Sequence, residues 1–232
     1  MEQPAAAVTA AGAAAVPRPF RFFTSLILPE STGLRASTLP VLAKILREVP
    51  ESCVYYHTHH FLLQHHYLSP EPANDFAYWV TAVLGEGPLG ELLASIDVTQ
   101  HASLKSLREA IGNTIDAYLE HNAPSRLKFV SEGQEFFFIK SLHIVMPTRY
   151  VASTLEEFAQ ILEHISIRSL YYHIFDARLR VGRSTNDFSR WLTGQLGLTE
   201  LAEQVSQLDP YAHTLETLRQ LLLSMVRGVP AR

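Results

Sequence analysis

One cysteine, Cys53, stands in 232 residues. A single thiol forms no internal disulfide, and zinc sites built from several cysteines are excluded. Basic residues do not dominate: 19 lysines and arginines face 23 carboxylate side chains, giving a formal charge of −4. The strongly basic surface that carries nucleic-acid binding is therefore missing. No run approaches the roughly 20 apolar residues that span a bilayer. No HExxH zinc motif occurs. These absences lead us to expect a cytoplasmic protein that binds neither nucleic acid nor membrane.

Apolar residues make up 47% and charged residues 18%, the balance of a folded globular chain. The first 19 residues, "MEQPAAAVTAAGAAAVPRP", are Ala- and Pro-rich and read as a disordered leader. Beyond them the chain is written twice. Sliding it by 116 aligns residues 20–62 with 136–178 without a gap, and 15 of the 43 positions are identical. Average residue usage gives roughly three, so chance does not account for the match. "NDFAYWVTAVLG" (Asn74–Gly85) then matches "NDFSRWLTGQLG" (Asn186–Gly197) at a slide of 112, and "SLKSLRE" from Ser103 resembles "TLETLRQ" from Thr214. The expected organisation is a leader 1–19, repeat one 20–122, a connecting hairpin 123–135, repeat two 136–227 and a tail 228–232.

The expected fold is mainly α, becoming α+β if the Phe-rich segments pair into a small sheet, with two tandem pseudo-symmetric helical repeats sharing one core. "STLEEFAQIL" reads as a helix opened by a capping box of Ser153 and Glu156, and "STLPVLAKIL" as its twin. Asn74 or Asp75, and Asn186 or Asp187, are placed as N-caps of helices ending at Gly85 and Gly197. "FRFFTSLIL" reads as a strand. "LKFVSEGQEFFFIKSLHIVM" reads as two strands around a turn at Glu132-Gly133.

"YYHTHHFLLQHH", Tyr55 to His66, holds five of the 11 histidines. On a wheel of about 100° per residue, Thr58 and His65 fall on the apolar arc, His59 at its margin and His60 on the outer face. In the second copy Thr58 and His59 become Ile174 and Phe175, so those places face inward; His60 becomes Asp176, which points to solvent. Repeat one thus puts polar groups where repeat two keeps hydrocarbon. The ordinary explanation is a satisfied core, which outweighs the sharper one of a pocket. The candidate ligand-binding set is Tyr56, His57, Thr58, His59, His65, Asn74 and Trp79. Its occupant would be a small molecule, or the set would serve contact with a protein.

Two imidazoles and two carboxylates, His57 and His173 with Asp75 and Asp187, would suit a divalent metal if the repeats face each other. The competing account is that the Asn-Asp pairs are helix caps. Cys53, four residues before His57, raises a Cys/His nucleophile, but no orienting third group can be named. Arg178, Arg180 and Arg183 precede the helix capped by Asn186 and are candidates for anion binding; pairing with buried carboxylates is the plainer reading. The preferred function is a non-enzymatic ligand-binding or protein-interaction module, and the alternative is a metal-dependent or Cys/His enzyme.

"YYHTHHFLLQHHYLSPEPANDFAYWV", with "LPESTGLRA" and "MPTRYVASTLEEF", resembles a bacterial and archaeal domain family of unknown function. Its members share a Tyr-Tyr-His-Thr-His segment followed by Pro-Glu-Pro and Asn-Asp-Phe-Ala-Tyr-Trp. The resemblance runs from about Phe20 to Val226 and implies no activity, substrate or cofactor.

Overall fold

A computed structural model describes residues 18–60, 74–98, 100–101, 103–177, 179, 185–208 and 214–228. Most of the leader and tail assigned from sequence lie outside this set. The fold is mainly helical with one small antiparallel sheet of two strands.

Strand β1 (Phe20–Ala36) leads into α1 (Leu39–Glu48) and α2 (Glu51–Tyr55), which runs on into a π-turn (Tyr56–His60). Then come α3 (Asp75–Tyr78) with a π-turn (Trp79–Val83), α4 (Gly87–Ala94) and α5 (Leu104–His121). A 3-10 turn (Ala123–Leu127) precedes β2 (Phe136–Ala152). The same order follows: α6 (Leu155–His164), α7 (Ile167–Tyr171) with a π-turn (Tyr172–Asp176), α8 (Asp187–Leu196), α9 (Thr199–Ser206) and α10 (Leu215–Arg227).

Caps fix most of these starts. Thr38, Asn74, Ser103, Thr154, Ser166, Asn186 and Thr214 each accept a backbone N–H from the first turn they precede. Of the alternatives Asn74 or Asp75 and Asn186 or Asp187, the asparagines are the caps. The cap of α6 is Thr154 rather than Ser153, and it is Glu157, not Glu156, that reaches back, to the Ser153 N–H at 2.7 Å. Both Ser and Thr suit a cap, so composition alone could not choose the register. α8 ends at Gly197, whose φ of 68° is the left-handed conformation a helix terminator requires.

The two strands pair with each other. The hairpin expected around Glu132-Gly133 is half right: the turn is there, but residues 128–130 form no strand, and β2 finds its partner far away in β1. Each strand carries a bulge at the same place. Thr32, Gly33 and Leu34 stand opposite Phe138, and Thr148, Arg149 and Tyr150 stand opposite Phe22. The Thr32 hydroxyl donates to the Phe138 carbonyl at 2.7 Å, and the Thr148 hydroxyl to the Phe22 carbonyl at 2.8 Å.

Buried hydrocarbon falls into two clusters rather than the one continuous core expected. They cut across the expected domain boundaries. Phe20 and Phe22, from the start of β1, pack on Phe158 and Phe188 of the second half. Phe136 and Phe138, from the start of β2, pack with Leu42, Phe76 and Ile111 of the first half. Each helical half therefore closes its core with the opening of the other half's strand.

Candidate functional site

The Tyr-Tyr-His segment sits on each π-turn and latches the crossing strands. His57 lies 2.7 Å from the Asp75 carboxylate through Nδ1, and its Nε2 accepts the backbone N–H of Ile139 at 3.0 Å. His173 repeats this with Asp187 at 2.9 Å and the Phe23 N–H at 2.8 Å. A backbone N–H can only donate, so Nε2 is the bare nitrogen and the proton sits on Nδ1, held by the carboxylate. Trp79 donates to the Gln134 carbonyl and Trp191 to the Arg18 carbonyl, at 2.8 and 2.9 Å. Asn74 and Asn186 donate their amides to the Leu93 and Val205 carbonyls.

This geometry separates the four groups considered for a divalent metal. They form two His–Asp pairs instead of one four-ligand centre, and the one lone pair each imidazole would offer a cation faces an N–H. Among the described residues, no three His, Cys, Asp or Glu gather closely enough to hold a metal ion.

Thr58 and His59 are buried, as the wheel places them. The Thr58 hydroxyl donates to the Val54 carbonyl at 2.6 Å, so its contact with His59 Nδ1 at 2.9 Å uses a proton from the imidazole. Burial, with a smaller contribution from His101, lowers the His59 pKa to about 4. The ring stacks on Tyr55 at 5.5 Å, and in the second half Phe175 lies tilted against Tyr171 at 5.3 Å. His60 is buried too, against the outward reading, and so is its counterpart Asp176. The cause is the π-turn: it holds more residues per turn than an α-helix, so a 100° wheel rotates residue 60 too far. His65, Arg178, Arg180 and Arg183 lie outside the residues whose side chains are described.

The two halves also exchange tyrosines. The Tyr55 hydroxyl donates to the Asp176 carboxylate at 2.6 Å, and the Tyr171 hydroxyl to the His59 carbonyl at 2.6 Å. Cys53 is buried, and desolvation raises its pKa to about 11, which leaves a thiol rather than a nucleophile at neutral pH. Its counterpart Ser169 donates to the Phe23 carbonyl at 2.6 Å. Tyr55 is buried while Tyr78 is exposed.

A cleft of about 600 Å³ opens beside the second latch. Its walls include Arg18, Arg21 and Arg190, with Tyr172, Trp191 and Asp187 beneath. The fold brings these together from both ends of the chain. The Arg18 backbone is pinned to α8 by the Trp191 bond and by Gln195, whose side chain accepts the Arg18 N–H. Sequence reading missed all three arginines, because they are scattered singly. The available signal was in the alignment: the corresponding places around the first latch hold Gln134, Phe137 and Tyr78.

Residues 17–227 match a family described as a family of unknown function, DUF5752. The chain belongs to that family. It is also similar to the solved structure of OrfY from Thermoproteus tenax, with a TM-score of 0.77 and 29% identity over 90% of this chain and 94% of that one. No curated protein matches. Among the described residues, no helix is long and apolar enough to cross a membrane.

Proposed function

We propose that this protein is a non-enzymatic ligand-binding module, and that its binding place is the cleft beside His173. One observation carries the reading: the groups that would perform chemistry are committed to holding the fold, whereas the cleft has the size of a small-molecule site and presents polar groups over an aromatic floor. The polar set of repeat one, Tyr56, His57, Thr58, His59, Asn74 and Trp79, supports a structural rather than a ligand-facing role, since four of its members bond backbone carbonyls or N–H groups. The test is a thermal-shift screen against a panel of small metabolites, with Trp191 emission followed in a Trp79→Phe background. A class of ligands that raises the melting temperature and changes Trp191 emission is expected. A panel that moves neither overturns the proposal.

A tandem duplication is part of the same proposal. The latches, caps and bulges recur at spacings of 116 and 112. The ion pair Arg47–Asp116 is answered by Glu163–Arg227, with the charges exchanged at matching places. Such an exchange preserves the interaction and not the residues, which favours two copies that diverged under one packing constraint. A reducing cytoplasmic setting suits the lone buried thiol.

A second reading, protein interaction, rests on the sheet. Leu28 pairs with Leu142 and Ile144 with Leu26, and Met146 continues the same face. Leu28, Leu142, Ile144 and Met146 are exposed, while Ser25, Ile27 and Ser141 on the opposite face are buried. Leu142→Lys should leave stability unchanged and weaken any self-association seen by analytical ultracentrifugation. A concentration-independent monomer for the parent protein removes a second copy as the occupant.

A further inference from the structure

We infer that the cleft between Arg18, Arg21 and Arg190 takes a small phosphate ester, with its phosphoryl group among the guanidiniums and its organic part against Tyr172 and Phe23; this rests on the ligand-binding reading above. Among the described residues, none of the three guanidiniums is paired with a carboxylate. The three residues nevertheless line one cavity. Exposed arginines that meet no partner are ordinary on a surface. Three of them lining one cleft are less so, because like charges gathered at one place repel.

The first half supplies an internal control. The same framework there carries Gln134, Phe137 and Tyr78 where the second half carries Arg18, Arg21 and Arg190. The anchoring bond that places Arg18, Trp191 to its carbonyl, is matched by Trp79 to the carbonyl of Gln134. The frame therefore forms without positive charge at these positions, and the arginines are not a requirement of folding. Asp187 also lines the cleft, but its carboxylate accepts the His173 Nδ1 proton, and three guanidiniums outnumber it.

The chemistry of the rim narrows the ligand. Guanidinium forks match the oxygens of a phosphoryl group, and three of them can meet three terminal oxygens, where a carboxylate would occupy one fork. Beside Pro19, Asp187 and Gln195, the other lining groups are the rings of Phe20, Phe23, Tyr172, His173 and Trp191, which suits an ester with a ring or apolar portion. A long polyanion is disfavoured by the chain's overall charge of −4. A cavity of about 600 Å³ holds a small molecule.

The experiment uses calorimetric titration of the full chain with inorganic phosphate, phenyl phosphate and phenol. Phenyl phosphate should bind most tightly, phosphate more weakly and phenol not at all. Each of Arg18→Gln, Arg21→Gln and Arg190→Gln should weaken phenyl phosphate binding about tenfold. The triple variant Arg18→Gln, Arg21→Phe, Arg190→Tyr copies the first half, so it should keep the parent's melting temperature and lose phosphate binding altogether. Phosphate binding that survives in the triple variant overturns the assignment. Equal binding of phenol and phenyl phosphate overturns the phosphate class while leaving a ligand-binding cleft. If none of these probes binds and the metabolite panel is also silent, both readings fall.

Discussion

Replacing Thr58 by Ile and His59 by Phe copies Ile174 and Phe175 into the first half, and it should remove an acid sensitivity from the protein. In the parent, His59 is buried against Tyr55, with Thr58 bonded to its ring, Asp176 beyond Tyr55, and His143 edge-on to the same tyrosine at 4.4 Å. Its folded pKa is about 4, against 6.5 for an ordinary histidine. A depressed folded value means that the unfolded chain binds the extra proton first. Stability is therefore full above pH 6.5 and falls as pH drops toward 4. Over that window a shift of this size removes about 3 kcal/mol. At pH 7 the double variant exchanges a mutually satisfied polar pair for hydrocarbon of similar shape, a change of about 1 kcal/mol in either direction. Urea unfolding at pH 7 and pH 4.5 measures both terms. The parent should lose distinctly more stability than the variant between these conditions; His143, whose pKa burial also lowers, gives both proteins a common background slope. If the two lose stability equally, His59 does not titrate as its burial requires. If the variant unfolds at pH 7, the pair is more than a satisfied core.

Other outcomes follow from the latches. His57→Phe strands the Ile139 N–H and the Asp75 carboxylate, and should destabilise by about 2–3 kcal/mol in denaturant titration; His173→Phe should act alike through Phe23 and Asp187. Asn186→Ala removes both the cap and the bond to the Val205 carbonyl and should cost about 2 kcal/mol, and Asn186→Asp, which keeps the capping oxygen but turns a buried carboxylate toward that carbonyl, should cost at least as much. Native protein should resist iodoacetamide at Cys53 at pH 8 and react on unfolding, as mass spectrometry would show; rapid native alkylation would contradict the buried, raised-pKa thiol.

Helix starts and the terminating glycine were legible because capping residues are written locally. Asn74 and Asn186 announced themselves by the residues that follow them. The pairing of β1 with β2 was not legible, because a strand's partner depends on contacts more than 100 residues away, and a turn at Glu132-Gly133 suggested a nearer one. His60 failed for a local reason of a different kind. A wheel presumes one helical period, and a π-turn breaks it where Tyr-His recurs in both halves. The site was legible as residue types but not as roles. His57 and Asp75 were singled out as members of a divalent-metal set, yet whether an imidazole nitrogen meets a metal or a backbone N–H is decided by the far strand.

The comparison between halves then separates framework from function more sharply than either half alone. Where they agree, at His57 and His173, Asn74 and Asn186, Trp79 and Trp191, each side chain bonds backbone that the fold must hold. Agreement there is explained by the interlocked strands and calls for no ligand. Where the halves disagree, packing has left the choice open. Thr58 and His59 against Ile174 and Phe175 is a disagreement inside the core, and both versions are satisfied. Arg18, Arg21 and Arg190 against Gln134, Phe137 and Tyr78 is a disagreement at an open surface, where no core contact selects arginine. Three charges with no carboxylate partner among the described residues line one cleft, in a frame that forms without them, and place the difference between the halves at what that cleft meets from solution.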